Sequence, residues 1–240
     1  MTNRIYVTVG ATVPFPKLIN QVISNLDKII LLEGTGNTEF IIQYGRNYTQ
    51  QFIDAIKKSY EGETGQDCNI ISLDDTTVAD NSIEKDDLYE LYFKYFRNKD
   101  NNNKCLYVTI PRFKKLKILG FELSGYINEL LYDYQPNIII THAGTGSLLD
   151  GLRLAGRKQK PKRSIICVIN DELMDNHQVD IAKKFSECKY VKSCYPSEMG
   201  DLFKNMCGGN FPFSVGSGGD DIVEFPSGYN KQFENEVLLG

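Results

Sequence analysis

A strand with no polar face is the feature that most restricts this chain. Ile138–Ile140 reads "III" after Asn137 and runs straight into "THAGTGSLLDG", Thr141–Gly151. Successive apolar residues in so short a run bury both sides of a strand, as happens inside a parallel sheet covered by helices. The turn that follows gives up side-chain bulk at Gly144 and Gly146 and offers hydroxyls at Thr145 and Ser147. A turn of this kind, opening a helix at the carboxyl end of a strand, presents unpaired N–H groups and a partial positive charge, which suits a diphosphate. Ser147 and Asp150 also have the spacing of a capping box, so the pattern alone leaves open a turn that merely starts a helix. Neither a Walker motif nor a complete dinucleotide fingerprint is present.

The alternation of short apolar runs with helical periods recurs along the 240 residues. Strands are expected at Ile5–Val9, Phe40–Gln43, Asn69–Leu73, Lys117–Gly120, Ile138–Thr141 and Ser164–Ile169. Helical stripes run through Leu18, Ile19, Val22, Ile23 and Leu26, through Phe52, Ile53 and Ile56, and through Ile127, Leu130 and Leu131. The expected class is α/β: a Rossmann-like parallel sheet with helices on both faces, in one domain spanning residues 1–206. Residues 207–240 read as a Gly-rich connection followed by a helical tail.

Three stretches break the rhythm. Residues 74–104 are acidic and then Asn-rich, which reads as a surface insertion whose aromatic centre, "LYELYFKYF", forms a small satellite of the core or an interface. Gly156–Ser164 holds five positive charges, all within 157–163, and reads as a solvated loop, with contact to an anionic membrane surface as the minority reading. The third is the Gly-rich run Gly208–Asp221.

Composition excludes several classes. A net charge of −4 argues against nucleic acid as the principal ligand. No apolar run approaches the roughly 18 residues a membrane span needs, and "MTNRIYVTVG" is too short in its apolar centre for a secretory signal. Membrane contact is therefore expected only through a partner. The six cysteines contain no C-x-x-C pair and read as reduced, structural thiols. Two histidines without clustered cysteines or carboxylates leave a zinc site incomplete, so no metal and no cofactor are expected.

Two more polar turns belong at the same sheet edge as Gly144. "VINDELMDNHQVDIA" carries Asn170, Asp175, Asn176, His177 and Gln178, neutral donors and acceptors suited to sugar hydroxyls, with Asp175 an alternative N-cap. "TVGATVPFP" brings Gly10, Ala11 and Thr12 to the end of the first strand, while Pro14 and Pro16 define the entry to the next helix.

Taken together, "YVTVGATVPFPKLI", "IIQYGRNY", "LKILGFELS", "THAGTGSLLDGLRLAG" and "NDELMDNHQVDIAKKF" resemble the eukaryotic donor-binding subunits of UDP-N-acetylglucosamine transferase, of glycosyltransferase family 28 type. The similarity covers most of residues 4–206. It implies the C-terminal, nucleotide-sugar half of a split GT-B enzyme. Such an enzyme transfers N-acetylglucosamine from UDP-N-acetylglucosamine to dolichol-diphosphate-N-acetylglucosamine, with inversion. A membrane-anchored acceptor-binding subunit then recruits this half to the cytosolic face of the endoplasmic reticulum.

The resemblance also implies roles. Gly144, Thr145, Gly146 and Ser147 match the diphosphate loop, and Asp150 matches an acidic position that meets the ribose and is often Glu in bacterial relatives. His177 and Gln178, with Asn176 before them, fall at the sugar-recognising turn, and Phe121 and Glu122 where main-chain atoms meet the uracil. Gly10, Ala11 and Thr12 match the loop facing the acceptor side. His142, Gly144 and His177 are the candidate catalytic residues. The general base is expected on the partner, with His142 ordering the phosphate loop. Two other classes stay open: a self-sufficient soluble transferase, which 240 residues scarcely accommodate, and a nucleotide-sugar-binding regulatory module without turnover.

Overall fold

The computed structural model describes residues 2–11, 13–30, 37–61, 68–74, 87–98, 103–155, 164–172 and 177–207. Among the described residues eight strands form one sheet: β1 (Thr2–Thr8), β2 (Asn37–Gln43), β3 (Asn69–Ser72), β4 (Cys105–Thr109), β5 (Leu116–Phe121), β6 (Ile138–His142), β7 (Ser164–Val168) and β8 (Lys192–Cys194). Their order across the sheet is β3-β4-β5-β2-β1-β6-β7-β8. Between them lie α1 (Pro16–Ser24), α2 (Leu26–Ile30), α3 (Thr49–Tyr60), α4 (Tyr89–Asn98), α5 (Ile127–Tyr134), α6 (Thr145–Ala155) and α7 (His177–Glu187), and α8 (Met199–Cys207) follows β8.

Strand parity divides the core into two. On β1, Ile5 and Val7 face one side and Tyr6 the other; on β6, Ile138 and Ile140 oppose Ile139; on β7, Ile166 and Val168 oppose Ile165 and Cys167. Both faces are buried, so these strands carry no polar alternation, as a parallel sheet sandwiched by helices requires. Leu18, Ile19, Val22 and Ile23 of α1, Phe52 and Ile56 of α3 and Phe203 of α8 fill the first face. Leu130 of α5, Leu148 of α6 and Phe185 of α7 fill the second. Pro16 occupies the start of α1, where its missing N–H has no intrahelical partner to lose.

All six expected strands form, with small shifts at their ends. Two were not foreseen. β4 runs antiparallel to both β3 and β5, so the sheet is mostly rather than wholly parallel. The cause is the connection to β5, where Phe113 N–H bonds to the Ile110 carbonyl at 2.8 Å and Leu116 N–H to the Phe113 carbonyl at 2.9 Å. Tight turns of that length reverse a chain, whereas a parallel neighbour needs a crossover of a dozen or so residues. β8 has three residues, too few to register as a period.

The aromatic centre of the expected surface insertion is no satellite. Leu88, Tyr92, Tyr95 and Phe96 are buried in the second-face core, and the Tyr92 and Phe96 rings meet Phe121 edge-on at 5.3 and 5.4 Å. The backbone of α4 winds left-handed, with φ from +39° to +55° over Glu90–Arg97. The cysteines Cys68, Cys105, Cys167, Cys188 and Cys194 are free thiols, and burial raises the pKa of Cys105, Cys167 and Cys194. Among the described residues no helix is long and apolar enough to cross a membrane. The basic loop 157–163 and the tail beyond Cys207 lie outside the described residues.

Close packing of β5 against α3 makes a stability prediction. A Cβ on Gly120 would lie 2.6 Å from Phe52 Cε1 and 2.9 Å from Cζ, and the Phe52 ring is itself held by stacking on Tyr44 with centroids 4.5 Å apart. Gly120→Ala is expected to cost about 1–3 kcal/mol through overpacking. Urea unfolding should show a lower midpoint at unchanged slope; an unaltered midpoint would mean that Phe52 moves aside freely.

Candidate functional site

The chain leaves β1 toward β2 on one side and returns as β6 on the other, so a crevice opens beyond the carboxyl ends of β1 and β6. His142, the last residue of β6, sits in it. Its ring lies against two glycines: a Cβ on Gly10 would come within 2.5 Å of Cε1, and one on Gly144 would overlap Nε2. Gly10 also has φ +78°, a conformation open to glycine. Both glycines are thus required by the imidazole between them. Burial lowers the His142 pKa to about 4, so the ring is neutral near pH 7, and its Nδ1 is buried with no hydrogen-bond partner among the described residues.

Helix α6 starts immediately beyond. Leu148 N–H bonds to the Gly144 carbonyl at 3.0 Å, which puts Gly144 in the N-cap position. Glycine has no side chain to cap the turn, and the amides of Thr145, Gly146 and Ser147 have no carbonyl within the helix. Ser147 is the third helical residue, so the Ser147–Asp150 spacing is not the capping box its sequence allowed.

A cavity of about 240 Å³ lies beside this turn. Its floor is Tyr6 and Thr8 of β1 and Gln43 of β2; one wall is Leu123, Ile127 and Leu131, with Ser124; Gly10, Ala11, Ser147 and Asp150 complete it. The floor is a buried polar network. Thr8 Oγ1 donates to Gln43 Oε1 at 2.6 Å, Tyr6 OH donates to the same oxygen at 3.3 Å, and Gly10 N–H donates to Thr8 Oγ1 at 3.0 Å. The register that pairs Thr8 with Gln43 brings these groups together. Desolvation raises the pKa of Asp150, with Arg153 opposing, and burial raises that of the Tyr6 phenol.

Comparison with known proteins decides the family. The chain is 38% identical over 234 residues to the UDP-N-acetylglucosamine transferase subunit ALG13 of Saccharomyces cerevisiae, covering 98% of this chain and 94% of that protein. The chain belongs to the ALG13 family. The ALG13 of Kluyveromyces lactis is 32% identical over 237 residues, covering 98% of this chain and 95% of its own. Residues 89–206 match the glycosyltransferase family 28 C-terminal domain, as expected of the C-terminal half of a GT-B enzyme. An NMR solution structure of ALG13 superposes with a TM-score of 0.59 at 31% identity, covering 98% of this chain and 94% of that one. The fold is therefore the Rossmann-like α/β domain of this family, and the chain is a glycosyltransferase subunit.

The ALG13-family loops expected to carry the site converge in part. Gly10, Ala11, Ser147 and Asp150 line the one cavity. Thr145 and Gly146 stand on the first turn of α6, and a Cβ on Gly146 would meet nothing within 4 Å. Phe121 and Glu122 do not line the cavity. The Phe121 ring is core, and the Glu122 carboxylate accepts from Asn47 N–H at 3.1 Å and Thr49 Oγ1 at 2.9 Å, clamping the start of α3. Their successors Leu123 and Ser124 do line it. Gln178 lies one strand over and accepts from Asn170 N–H at 3.3 Å. His177 begins α7, while Thr12 and Asn176 lie outside the described residues.

Sequence reasoning missed Tyr6, Thr8 and Gln43. The signal was present: Tyr6 and Thr8 share a strand face, and Gln43 is the polar end of an apolar run. It also missed Lys17, whose Nζ pairs with Asp171 at 3.2 Å and Glu172 at 3.3 Å, tying the start of α1 to the turn after β7.

Two measurements check the His142 wedge. Gly144→Ala is expected to destabilise the fold by about 1–3 kcal/mol, and His142→Ala in the same chain should recover part of it, while Gly146→Ala is neutral or slightly stabilising. A harmless Gly144→Ala would contradict the packing. The unfolded imidazole titrates near 6.5 and the native one near 4. Between these values the unfolded chain binds the extra proton, so the stability of the protein falls as the pH drops from 6.5 toward 4. Denaturation midpoints of His142→Gln should be flatter across that window than those of the parent; identical slopes would refute a buried neutral ring.

Proposed function

We propose that the chain is the donor-binding, catalytic subunit of a two-subunit N-acetylglucosaminyltransferase. It binds UDP-N-acetylglucosamine in the cavity and across the start of α6. The acceptor is dolichol-diphosphate-N-acetylglucosamine, presented by a membrane-anchored second subunit at the cytosolic face of the endoplasmic reticulum. The carrying observation is the convergence of Gly10, Ala11, Ser147 and Asp150 on one cavity beside the uncapped turn of α6. Family membership supports the donor, and the word "subunit" in the relatives' names supports a partner.

In this reading the acceptor 4-hydroxyl attacks the anomeric carbon as its bond to the diphosphate oxygen breaks, with inversion, and UDP departs. Negative charge grows on the leaving diphosphate. The amides of Thr145, Gly146 and Ser147 meet that charge as fixed dipoles, and one such donor is typically worth about 3 kcal/mol. The Asp150 carboxylate suits the ribose hydroxyls. His142, wedged and neutral, holds the loop in place, and the base that takes the acceptor proton belongs to the partner. No step calls for a metal.

The test is transfer of labelled N-acetylglucosamine from its UDP ester to dolichol-diphosphate-N-acetylglucosamine by the purified chain, with and without membranes lacking their own donor subunit. Transfer only in the mixture is expected. Transfer without membranes would make the chain a complete enzyme. Binding of the nucleotide sugar with no transfer in either would leave a regulatory module.

A further inference from the structure

We infer that Gln43 selects the base of the bound nucleotide by presenting a fixed hydrogen-bond donor at the cavity floor; this rests on the nucleotide-sugar reading above. Gln43 closes β2, is 5% exposed and lines the cavity. Its Oε1 takes two hydroxyl protons, from Thr8 and from Tyr6. The 2.6 Å contact with Thr8 Oγ1 has the length of a hydroxyl-to-oxygen bond rather than a nitrogen-to-oxygen one, which sets Oε1 on the hydroxyl side and turns Nε2 the other way. Nε2 makes no hydrogen bond among the described residues and is not one of their buried unpartnered atoms, so it is open to the cavity and can donate to a ligand there.

The surroundings say what accepts. Leu123, Ile127 and Leu131 make an apolar wall that fits the face of a flat ring rather than a sugar or a phosphate. A pyrimidine against that wall turns an edge to Gln43. Uracil carries a carbonyl where cytosine carries an amino group. The locked donor accommodates the carbonyl and opposes the amino group, because two donors would then face each other in a buried site.

Calorimetric titration of the full chain with UDP and with CDP tests this. The parent chain should prefer UDP. Gln43→Glu keeps the acceptor toward Tyr6 and Thr8 but replaces the donor by an acceptor, so UDP should weaken roughly tenfold and the preference should vanish or invert. Gln43→Met removes the donor without adding charge and should bring the two affinities together. Thr8→Val leaves Gln43 in place but unlocks it, and should erode the preference in the same direction. A parent preference for UDP that all three folded variants retain would overturn the role of Gln43 and leave the nucleotide-sugar site standing. Equal binding of UDP and CDP by the parent would overturn the selection alone, and binding of neither would overturn both readings.

Discussion

The parallel pairing of β1 with β6 is the constraint on which the site depends. Ile5 to Thr8 run in register with Ile138 to Thr141, so the two chains leave the sheet side by side, one through Gly10 and the other through His142 and Gly144. Two turns emerging so close leave room for one ring and two bare Cα atoms. His142 takes that room. The contact fixes the height of the Gly10 loop against the start of α6, and hence the mouth of the cavity that both help to line. A side chain at either glycine would pry them apart, which is why bulk is absent here even though Gly146, two residues on, faces open space.

Below the mouth, the same register produces a second device. Because Thr8 lies opposite Gln43, the last polar groups of two adjacent strands bond to each other, and the Gly10 amide is drawn into the same network. Backbone and floor are therefore coupled: the loop that packs on His142 from above is hydrogen-bonded to Thr8 from below. Preorganisation of this kind keeps polar groups aimed without reorganisation when a ligand enters.

Much of this was legible in the sequence, for identifiable reasons. Strands such as Ile138–His142 and Ser164–Val168 announce themselves because burial on both faces leaves no polar position, and the Gly144–Ser147 turn because glycine and hydroxyl residues interrupt so abruptly. What escaped was of two kinds. β4 is set by a tight turn at 110–115 rather than by periodicity, and the aromatic run around Tyr92 looked like an insertion because polar stretches flank it, although its rings complete the core around Phe121. The second kind is side-chain contact across the fold. Gly144 stands against the His142 ring, and the Glu122 carboxylate accepts from the amide of Asn47 and the hydroxyl of Thr49. No linear pattern reveals that Glu122 meets Asn47, 75 positions away, or that Gly10 meets the His142 ring, 132 positions away.

Charge sets this cavity apart. The cavity lining among the described residues contains one carboxylate, Asp150, and neither lysine nor arginine. A diphosphate placed there, as proposed, meets no cation from these residues, and its charge falls to the helix amides of α6. Amide dipoles are partial charges, weaker than a lysine for a ground-state anion, yet they are fixed, and a fixed dipole gains as charge accumulates on the leaving group. A site built this way would hold the intact donor moderately and the departing diphosphate more firmly. The neutrality of His142 belongs to the same balance: a ring wedged against Gly144 with its pKa near 4 keeps the turn in place without adding a positive charge that would bind substrate and product alike.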